Sequence, residues 1–220
     1  ITVLPYKVEG RSYVLELVQR TPCQDTLDAD SGERIMREIS GYNTKLYRDA
    51  LTGAYNRHYY EDVARKAPGP SCVAIMDLDD FKFCNDTYGH HAGDLALETA
   101  ANAIRACVRD NDVLIRFGGD EFLLILANMP EKMLKKKLEK IRDQVHAAVI
   151  HECPHLRVSV SIGGVTQGEH ETMDSAVRRA DRLLYHAKTT KNEVVVESDN
   201  TLSESVQTKN YVKPFILIVD

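Results

Sequence analysis

One short segment, residues 117–122 with the sequence Phe-Gly-Gly-Asp-Glu-Phe, constrains the fold more than any other part of the chain. It separates two apolar runs, residues 113–115 and 122–126, and this pattern predicts a β-hairpin. Glycine accepts positive φ and has no side chain to block a ligand, so Asp120 and Glu121 should lie on a surface that a ligand can approach closely. Such a tip can hold a metal ion and a phosphate; a plain turn with solvated acids is the alternative.

The residues around this hairpin alternate between extended and helical patterns. We expect strands at 71–76, 156–165 and 194–196, and helices from Asn56 to about 66, from near Asp80, from about 93 to 109, from 130 to 149 and from 172 to 190. Strands interleaved with helices, two of them joined as a hairpin, predict an α/β (α+β) fold. Its central mixed sheet would have flanking helices.

The segments before this domain predict a sensor and a helical connector. Residues 1–24 contain two strand-like pieces that resemble the end of a PAS-type sensor domain, and an unrelated strand pair is an equal alternative. In residues 25–48, apolar side chains recur at spacings of four, three and four, at Ile35, Ile39, Tyr42 and Leu46. This spacing predicts a signalling helix that pairs with its copy in a second subunit. A single amphipathic helix packed on its own domain is the alternative.

The main domain is expected to span residues 49–196 and to be followed by a polar linker at 197–213. Residues 214–220 form an apolar strand that ends in Asp220. This strand resembles the start of a response-regulator receiver, with any other α/β domain as an equal alternative. Because the chain begins at Ile1 and stops inside this apolar run, we expect it to be a piece of a longer protein.

Charge and cysteine content narrow the class of function. The chain has 33 acidic and 28 basic residues and a formal charge of −5, without a basic stripe interleaved with aromatic residues. A nucleic-acid polymer is therefore not expected as a partner. Five scattered cysteines, an odd number without CxxC spacing, predict free thiols in a reducing cytosol, and hence a cytoplasmic protein. No apolar run approaches the ~18 residues of a spanning helix, so membrane contact is not indicated.

Acidic side chains occur where the predicted strands end. Asp77 directly follows a predicted strand and precedes a helix start, so its carboxylate should point into the crevice at the strand's carboxyl end. Free amides around Phe81 and Lys82 would face the same crevice and favour phosphate. Asp77, Asp120 and Glu121 on adjacent strand ends would make a hard-oxygen site suited to Mg²⁺. A pair of such ions would activate a hydroxyl and stabilise the leaving group in phosphoryl or nucleotidyl transfer.

Five separated motifs run from Asp49 to about Asn192 and occur together. They are Asp49-Ala-Leu-Thr-Gly-Ala-Tyr-Asn-Arg57; Asp77-Leu-Asp-Asp-Phe-Lys-Phe-Cys-Asn-Asp-Thr-Tyr-Gly-His90 with Gly93-Asp94; Arg116-Phe-Gly-Gly-Asp-Glu-Phe122; Ser161-Ile-Gly163; and Ala180-Asp181 with Leu184-Tyr-His-Ala-Lys188. This set resembles the GGDEF domain, the catalytic domain of diguanylate cyclases. The resemblance implies a fold like the palm of nucleotide cyclases and polymerases. It also implies a reaction that converts two GTP into cyclic di-GMP and two pyrophosphates.

The resemblance implies roles for the acidic residues. Asp77, Glu121 and the Leu78 carbonyl would hold Mg²⁺ (or Mn²⁺). Asp120 would be a metal ligand or help to deprotonate the attacking 3′-hydroxyl. Because each domain has one set of acids and one guanine pocket, two domains must face each other, and a homodimer is expected.

The same resemblance implies a guanine pocket and a phosphate grip. Asn85 and Asp94 would bind the guanine edge, and a carboxylate can accept from both N1–H and the 2-amino group, donors that adenine lacks. Helix capping by these two residues is the alternative. Lys82 and Lys188 would neutralise the phosphates beside the amide of Phe81.

Arg109 and Asp112 have the RxxD spacing of the family's inhibitory site, five residues ahead of the hairpin glycines. There the Arg fork would match a phosphate or the guanine Hoogsteen edge of bound product, and the acid would match guanine N1–H and N2. The alternative is a helix-end Arg favoured by the helix dipole and followed by a turn acid.

One departure from the family occurs after Ala187-Lys188. The family usually shows two residues and then Gly-Arg-Asn, whereas this chain has Thr189-Thr190-Lys191-Asn192. The glycine is missing, and Lys191 offers a charge without the bidentate fork of Arg. The hold on phosphate at this corner is therefore expected to differ from that of the family, with Lys191 as the substrate-binding residue.

The main hypothesis is an active, dimer-dependent diguanylate cyclase controlled by its flanking domains. A non-catalytic module that binds GTP or cyclic di-GMP is the first alternative, and its usual sign would be the loss of Asp77 or of a hairpin acid. An enzyme that makes a different cyclic dinucleotide is the second, but Asn85 and Asp94 favour guanine.

Overall fold

The computed structural model describes residues 2–8, 11–17, 46–66 and 71–197. Strands β1 (Thr2–Val8) and β2 (Arg11–Leu17) pair antiparallel, so the first two strand-like pieces form a hairpin. The seam residues Ile35, Ile39 and Tyr42, the linker and the receiver-like strand lie outside the described residues. The domain boundaries and the paired signalling helix therefore stay predictions.

The second described sheet has five strands and forms the centre of the domain. They are β3 (Ser71–Leu78), β4 (Val113–Arg116), β5 (Glu121–Ala127), β6 (Val160–Thr166) and β7 (Val194–Val196). Their order is β4-β5-β3-β6-β7, and all neighbours run antiparallel except β6 and β7, which run parallel. The predicted hairpin is the β4–β5 pair. This arrangement confirms the central mixed sheet.

The described helices flank this sheet. They are α1 (Arg57–Asp62), α2 (Phe81–Tyr88), α3 (His90–Cys107), α4 (Glu131–Ala147) and α5 (Met173–Thr190). The Asn56 side chain accepts the Tyr59 amide and caps α1, as predicted. Helix α3 begins at His90 rather than near residue 93, because Gly89, with a φ of 84°, ends α2 and lets the next helix start at once.

Two strand boundaries differ from the sequence expectation. Strand β3 does not end before Asp77, because its two neighbours continue the ladder: Asp77 pairs with Glu121 of β5 and with Ser161 of β6. Strand β6 begins at Val160, four residues later than predicted. Asp77 is therefore fixed within the sheet, and its side-chain direction follows from the strand alternation.

The two faces of the sheet bury different helices. Even-numbered residues of β3, such as Ala74 and Met76, belong to one apolar cluster with α3 and α4. Odd-numbered residues, such as Val73 and Ile75, belong to a second cluster with α1 and α5. Because side chains alternate along a strand and paired residues share a face, Asp77 and its partners lie on the α5 side.

Helix α5 packs directly against the backbone of β6. A Cβ placed on Gly163 would lie 2.2 Å from both the Ala180 carbonyl oxygen and the Leu184 amide nitrogen. Only a glycine fits this approach, which explains the Ser-Ile-Gly motif. The close approach brings the last turns of α5, including Lys188, to the end of the strand that carries Asp77.

The described residues also bear on two expectations from composition. All four cysteines in this part of the chain, Cys72, Cys84, Cys107 and Cys153, are free thiols, as predicted. No helix among the described residues is long and apolar enough to cross a membrane.

Candidate active site

The predicted acids lie near one another at the ends of strands β3 and β5. Asp77 lies opposite Glu121, and the Leu78 amide donates to the Asp120 carbonyl at 3.2 Å. The hairpin closes through the amides of Phe117 and Gly118, which both donate to the Glu121 carbonyl. Asp77 and Glu121 therefore lie on the neighbouring strands β3 and β5, and Asp120 lies in the turn directly before β5.

Lys188 reaches these strand ends from α5. Its ammonium lies 2.6 Å from Asp77 Oδ1, 3.0 Å from the Leu78 carbonyl oxygen and 3.1 Å from Asp79 Oδ1. The first two groups are those that the sequence assigned to a metal ion. Lys188, which the sequence predicts to bind phosphate, thus pairs with Asp77 and Asp79 in this structure.

The environment of Asp77 disfavours its charged form. Burial raises the pKa of Asp77 to about 6, and the negative charges of Asp120 and Glu121 act in the same direction. The hydrogen bond and the charge of Lys188 oppose this rise without cancelling it. A second cation near Asp77 would therefore relieve an electrostatic cost that Lys188 only partly removes.

Asp79 is a site residue that sequence reasoning missed. Its side chain is 2% exposed, and it accepts from Ser161 Oγ at 2.7 Å, from Ser159 Oγ at 2.9 Å and from the Asn192 amide at 2.8 Å. Burial alone would raise the pKa of Asp79, but these donors and the Lys188 charge hold it below its usual range. Asp79 therefore anchors both Lys188 and the turn after α5.

The two hairpin glycines differ in their surroundings, and neither has the positive φ that the sequence allows there. A Cβ on Gly118 would lie 2.8 Å from Glu121 Oε2, so the missing side chain leaves room for that carboxylate. A Cβ on Gly119 would meet no described heavy atom within 4 Å. The approach of a ligand to this tip stays a prediction.

Arg116 fastens the hairpin tip to the start of the domain. Its Nη2 donates to the Gly119 carbonyl at 2.7 Å, and its Nη1 lies 3.2 Å from each carboxylate oxygen of Asp49. Asp49 also accepts from the amide and hydroxyl of Thr52. These contacts link the Asp-Ala-Leu-Thr motif, where the chain enters the domain, to the tip that carries Asp120.

The predicted guanine ligands lie beside each other across the α2–α3 junction. A Cβ on Gly93 would fall 1.9 Å from Asn85 Oδ1, so the Asn85 amide packs over the position of the missing side chain. Asp94 is the next residue and is exposed in the second turn of α3. Gly89, not Asn85 or Asp94, is the N-cap of α3, so the capping alternative is not seen.

The start of α2 carries the predicted phosphate contacts. Lys82 is exposed, and Phe81 is the first helical residue. The preceding Asp80 has a φ of 54° and pairs with Lys191, whose ammonium lies 2.7 Å and 2.9 Å from the two carboxylate oxygens. Lys191 follows Lys188 after two intervening residues and is the C-cap of α5.

The predicted inhibitory pair forms a turn in this structure. Asp112 Oδ2 accepts the backbone amide of Arg109 at 2.9 Å, and the Arg109 carbonyl accepts the Asp112 amide at 3.0 Å. Asp112 is buried, and its Oδ1 has no hydrogen-bond partner among the described residues. The contacts of Asp112 are therefore those of an acid in a turn, which was the alternative to the inhibitory site. The Arg109 side chain is exposed.

The donor set fits a hard cation whose shell is completed by a substrate. Among the described residues, no three His, Cys, Asp or Glu side chains converge closely enough to form a metal site by themselves. The Asp77 carboxylate and the Leu78 carbonyl already converge on the Lys188 ammonium. Carboxylate and carbonyl oxygens with phosphate oxygens in the remaining positions are typical of Mg²⁺ sites.

The mixed five-stranded sheet and the acidic residues at the end of its central strands are those of a GGDEF-type α+β domain. The coiled coil and GGDEF domain of DgcB from Caulobacter crescentus, in complex with cyclic di-GMP, matches with a TM-score of 0.67 and 26% identity over 76% of this chain and 94% of that chain. Diguanylate cyclase SiaD from Pseudomonas aeruginosa, in complex with its activator SiaC, matches with a TM-score of 0.62 and 31% identity over 76% of this chain and 68% of that chain.

The sequence matches the family "Diguanylate cyclase, GGDEF domain" over residues 46–194, and the chain belongs to this family. It is 37% identical over 169 residues to the probable diguanylate cyclase DgcT of Escherichia coli. It is 44% identical over 199 residues to the bifunctional diguanylate cyclase/cyclic di-GMP phosphodiesterase MucR of Pseudomonas aeruginosa. These matches cover 72% and 86% of this chain but only 37% and 26% of the two relatives.

Proposed function

We propose that this chain is the catalytic part of a diguanylate cyclase, which condenses two GTP into cyclic di-GMP and two pyrophosphates. The observation that carries the proposal is that the Asp77 carboxylate and the Leu78 carbonyl both contact the Lys188 ammonium, with Glu121 paired opposite Asp77. Oxygen ligands at a strand end next to a helix start suit a metal-bound triphosphate. Membership of the family supports the same reaction.

Asp77, Glu121 and the Leu78 carbonyl would hold Mg²⁺ or Mn²⁺. The bound metal would neutralise phosphate charge and make the attacking 3′-hydroxyl easier to deprotonate. When a triphosphate binds, Lys188 would exchange its contact with Asp77 for one with a phosphate oxygen. Asp120 would complete the metal shell or accept the hydroxyl proton, and its backbone carbonyl is held in place by the Leu78 amide.

Asn85 and Asp94 would select guanine. The Asp94 carboxylate can accept from N1–H and from the 2-amino group together, whereas adenine offers neither donor at those positions. Gly93 makes the pocket possible because a side chain there would displace the Asn85 amide. Lys82 and the first amides of α2, beginning at Phe81, would contact the phosphates.

The product requires two half-sites. Two 3′-hydroxyls must attack two α-phosphates, and each domain has one set of acids and one guanine pocket. A homodimer with one GTP on each domain would bring them together, and the helix that contains Leu46 would hold the copies in register.

Product inhibition would use Arg109. Its exposed guanidinium can contact a phosphate or the Hoogsteen edge of guanine in bound cyclic di-GMP. For Asp112 to bind the same ligand, its carboxylate would have to release the Arg109 amide or use the buried Oδ1.

A receptor that binds GTP or cyclic di-GMP without turnover is the second candidate. It is less well supported, because Asp77, Asp120 and Glu121 are all present. Incubation of the purified protein with GTP and Mg²⁺, followed by chromatography of the products, separates the two. We expect cyclic di-GMP from GTP and no cyclic dinucleotide from ATP.

The matched variants for this experiment are Glu121→Gln and Glu169→Gln. The first removes a charge from the proposed metal site and should abolish product formation. The second removes one carboxylate charge from Glu169, which is exposed and is not part of the proposed site, and it should leave the rate unchanged. GTP binding without any cyclic di-GMP from the wild-type protein would establish the receptor instead.

A further inference from the structure

Lys191 occupies a backbone conformation that favours glycine. Its φ is 62°, and the following Asn192 has a φ of 46°. Lys191 is also the C-cap of α5, directly after the last helical residue. A non-glycine residue in this conformation costs free energy, which motivates the hypothesis that its side chain has a role.

The side chain of Lys191 acts on Asp80. Asp80 occupies the N-cap position of α2, where an Asp ordinarily accepts an amide of the first helical turn. Here Asp80 has a φ of 54° and makes no capping hydrogen bond within the described part of the chain. Both of its carboxylate oxygens instead contact the Lys191 ammonium, at 2.7 and 2.9 Å.

The first amides of α2 are left without a carboxylate, because Asp80 has a left-handed backbone and its side chain pairs with Lys191. The first four amides of a helix have no acceptor within the helix itself, so those at Phe81 and Lys82 remain available to a phosphate. Without Lys191, the unpaired Asp80 carboxylate would remain beside these amides, and its negative charge would repel a triphosphate.

We propose that Lys191 is a positioning residue that holds Asp80 away from the first turn of α2 and so keeps this turn open for the triphosphate of GTP. The proposal rests on the proposed function for the identity of the nucleotide. It differs from direct phosphate binding by Lys191, because its effect requires Asp80. Asp80 and Lys191 therefore form a pair whose members should depend on each other.

Three variants test this dependence: Lys191→Gly, Asp80→Gly and the double variant. Glycine suits both positions, because it accepts their positive φ and carries no charge. The readout is the affinity for 3′-deoxy-GTP in the presence of Mg²⁺, measured by titration calorimetry. This nucleotide lacks the attacking hydroxyl, so binding is measured without turnover.

We expect Lys191→Gly to weaken 3′-deoxy-GTP binding about fivefold, because one unpaired carboxylate, 57% exposed and partly screened by water, then lies near the phosphates. The double variant should bind like Asp80→Gly, within about twofold of the wild type or tighter. If the double variant is as weak as Lys191→Gly, Lys191 contacts phosphate directly and the proposal is wrong. Unchanged binding in Lys191→Gly would overturn it as well.

Thermal stability gives an independent readout. Lys191→Gly relieves the strained backbone, so its melting temperature should rise by about 2–4 °C while nucleotide binding weakens. A merely structural role would not produce opposite changes in these two quantities. Lys191→Arg keeps the ion pair with Asp80 and should bind 3′-deoxy-GTP like the wild type; weak binding by this variant would contradict the proposal.

Failure of the proposed function can be told apart from failure of this inference. If the wild type binds 3′-deoxy-GTP but forms no cyclic di-GMP from GTP, the enzyme proposal fails and the binding series still decides the role of Lys191. If the wild type binds no 3′-deoxy-GTP at all, α2 is not a triphosphate site and the inference is wrong.

Discussion

Substitution of Gly163 by Ala tests the packing that brings Lys188 to the acids. The new Cβ would lie 2.2 Å from two backbone atoms of α5, the Ala180 carbonyl oxygen and the Leu184 amide nitrogen. Real Cβ atoms stay beyond 3.0 Å of such neighbours, so the helix would have to retreat by at least 0.8 Å. Because backbone atoms on both sides are fixed by hydrogen bonds, this clash cannot be relieved by rotating a side chain.

We expect a loss of about 2–3 kcal/mol in the free energy of unfolding, the typical cost of overpacking a core. For a chain of this size the melting temperature should fall by about 4–12 °C. Activity should fall further, by up to roughly 100-fold, because a shift near 1 Å at a catalytic group is costly. Lys188 is one turn beyond Leu184 on the same helix and would move with it.

Gly164→Ala is the matched control. A Cβ on Gly164 would lie 2.4 Å from Leu138 Cδ1, the end of a flexible side chain on the opposite face of the sheet. We expect this variant to lose less than about 1 kcal/mol, because Leu138 can change its rotamer. Thermal melting and cyclic di-GMP formation would be measured for both variants. If Gly163→Ala melts within about 2 °C of the wild type, or the two variants are equally destabilised, the argument from α5 packing is refuted.

Three further predictions concern charge, feedback and assembly. Burial raises the pKa of Asp77 from 3.8 to about 6, so the wild type loses stability as pH rises through this window. Without metal, the stability of Asp77→Asn minus that of the wild type should therefore be larger at pH 7 than at pH 4, by at most about 3 kcal/mol. An equal difference at both pH values would exclude this. Arg109→Ala should relieve inhibition by added cyclic di-GMP without raising the initial rate, and superimposable inhibition curves would contradict the inhibitory role. Specific activity should fall on dilution over the same protein concentrations at which analytical ultracentrifugation shows the dimer dissociating. Leu46→Asp should shift both the activity curve and the dissociation curve to higher concentration. Constant activity across the dissociation would rule out two half-sites.

Local patterns were sufficient to predict much of the fold. The Gly-Gly-Asp break between two apolar runs predicted the β4–β5 hairpin, and the structure confirms it. Thr172 and Thr190 were expected to bound a helix, and α5 spans Met173–Thr190 with Thr172 as its N-cap. Such features depend on neighbouring residues alone, which is why sequence reveals them.

Errors arose where long-range pairing decided the outcome. Asp77 was predicted to follow its strand, but two neighbouring strands extend the ladder through it. Asp79 had no local signal beyond an Asp-x-Asp spacing, since its partners Ser159 and Ser161 are 80 and 82 residues away. The pairing of Lys191 with Asp80 spans 111 residues and likewise has no local pattern.

The sequence by itself determined the family and most of the residues to which we assign the chemistry, because motifs place acids, glycines and lysines at fixed spacings along the chain. Only the tertiary structure decided what each charge contacts: Lys188 pairs with Asp77, Asp112 accepts the Arg109 amide, and Lys191 holds Asp80. The physical reason is that electrostatic and packing energies depend on distance in space. That distance is fixed by strand register and by the approach of α5 to Gly163, neither of which is written in any single segment.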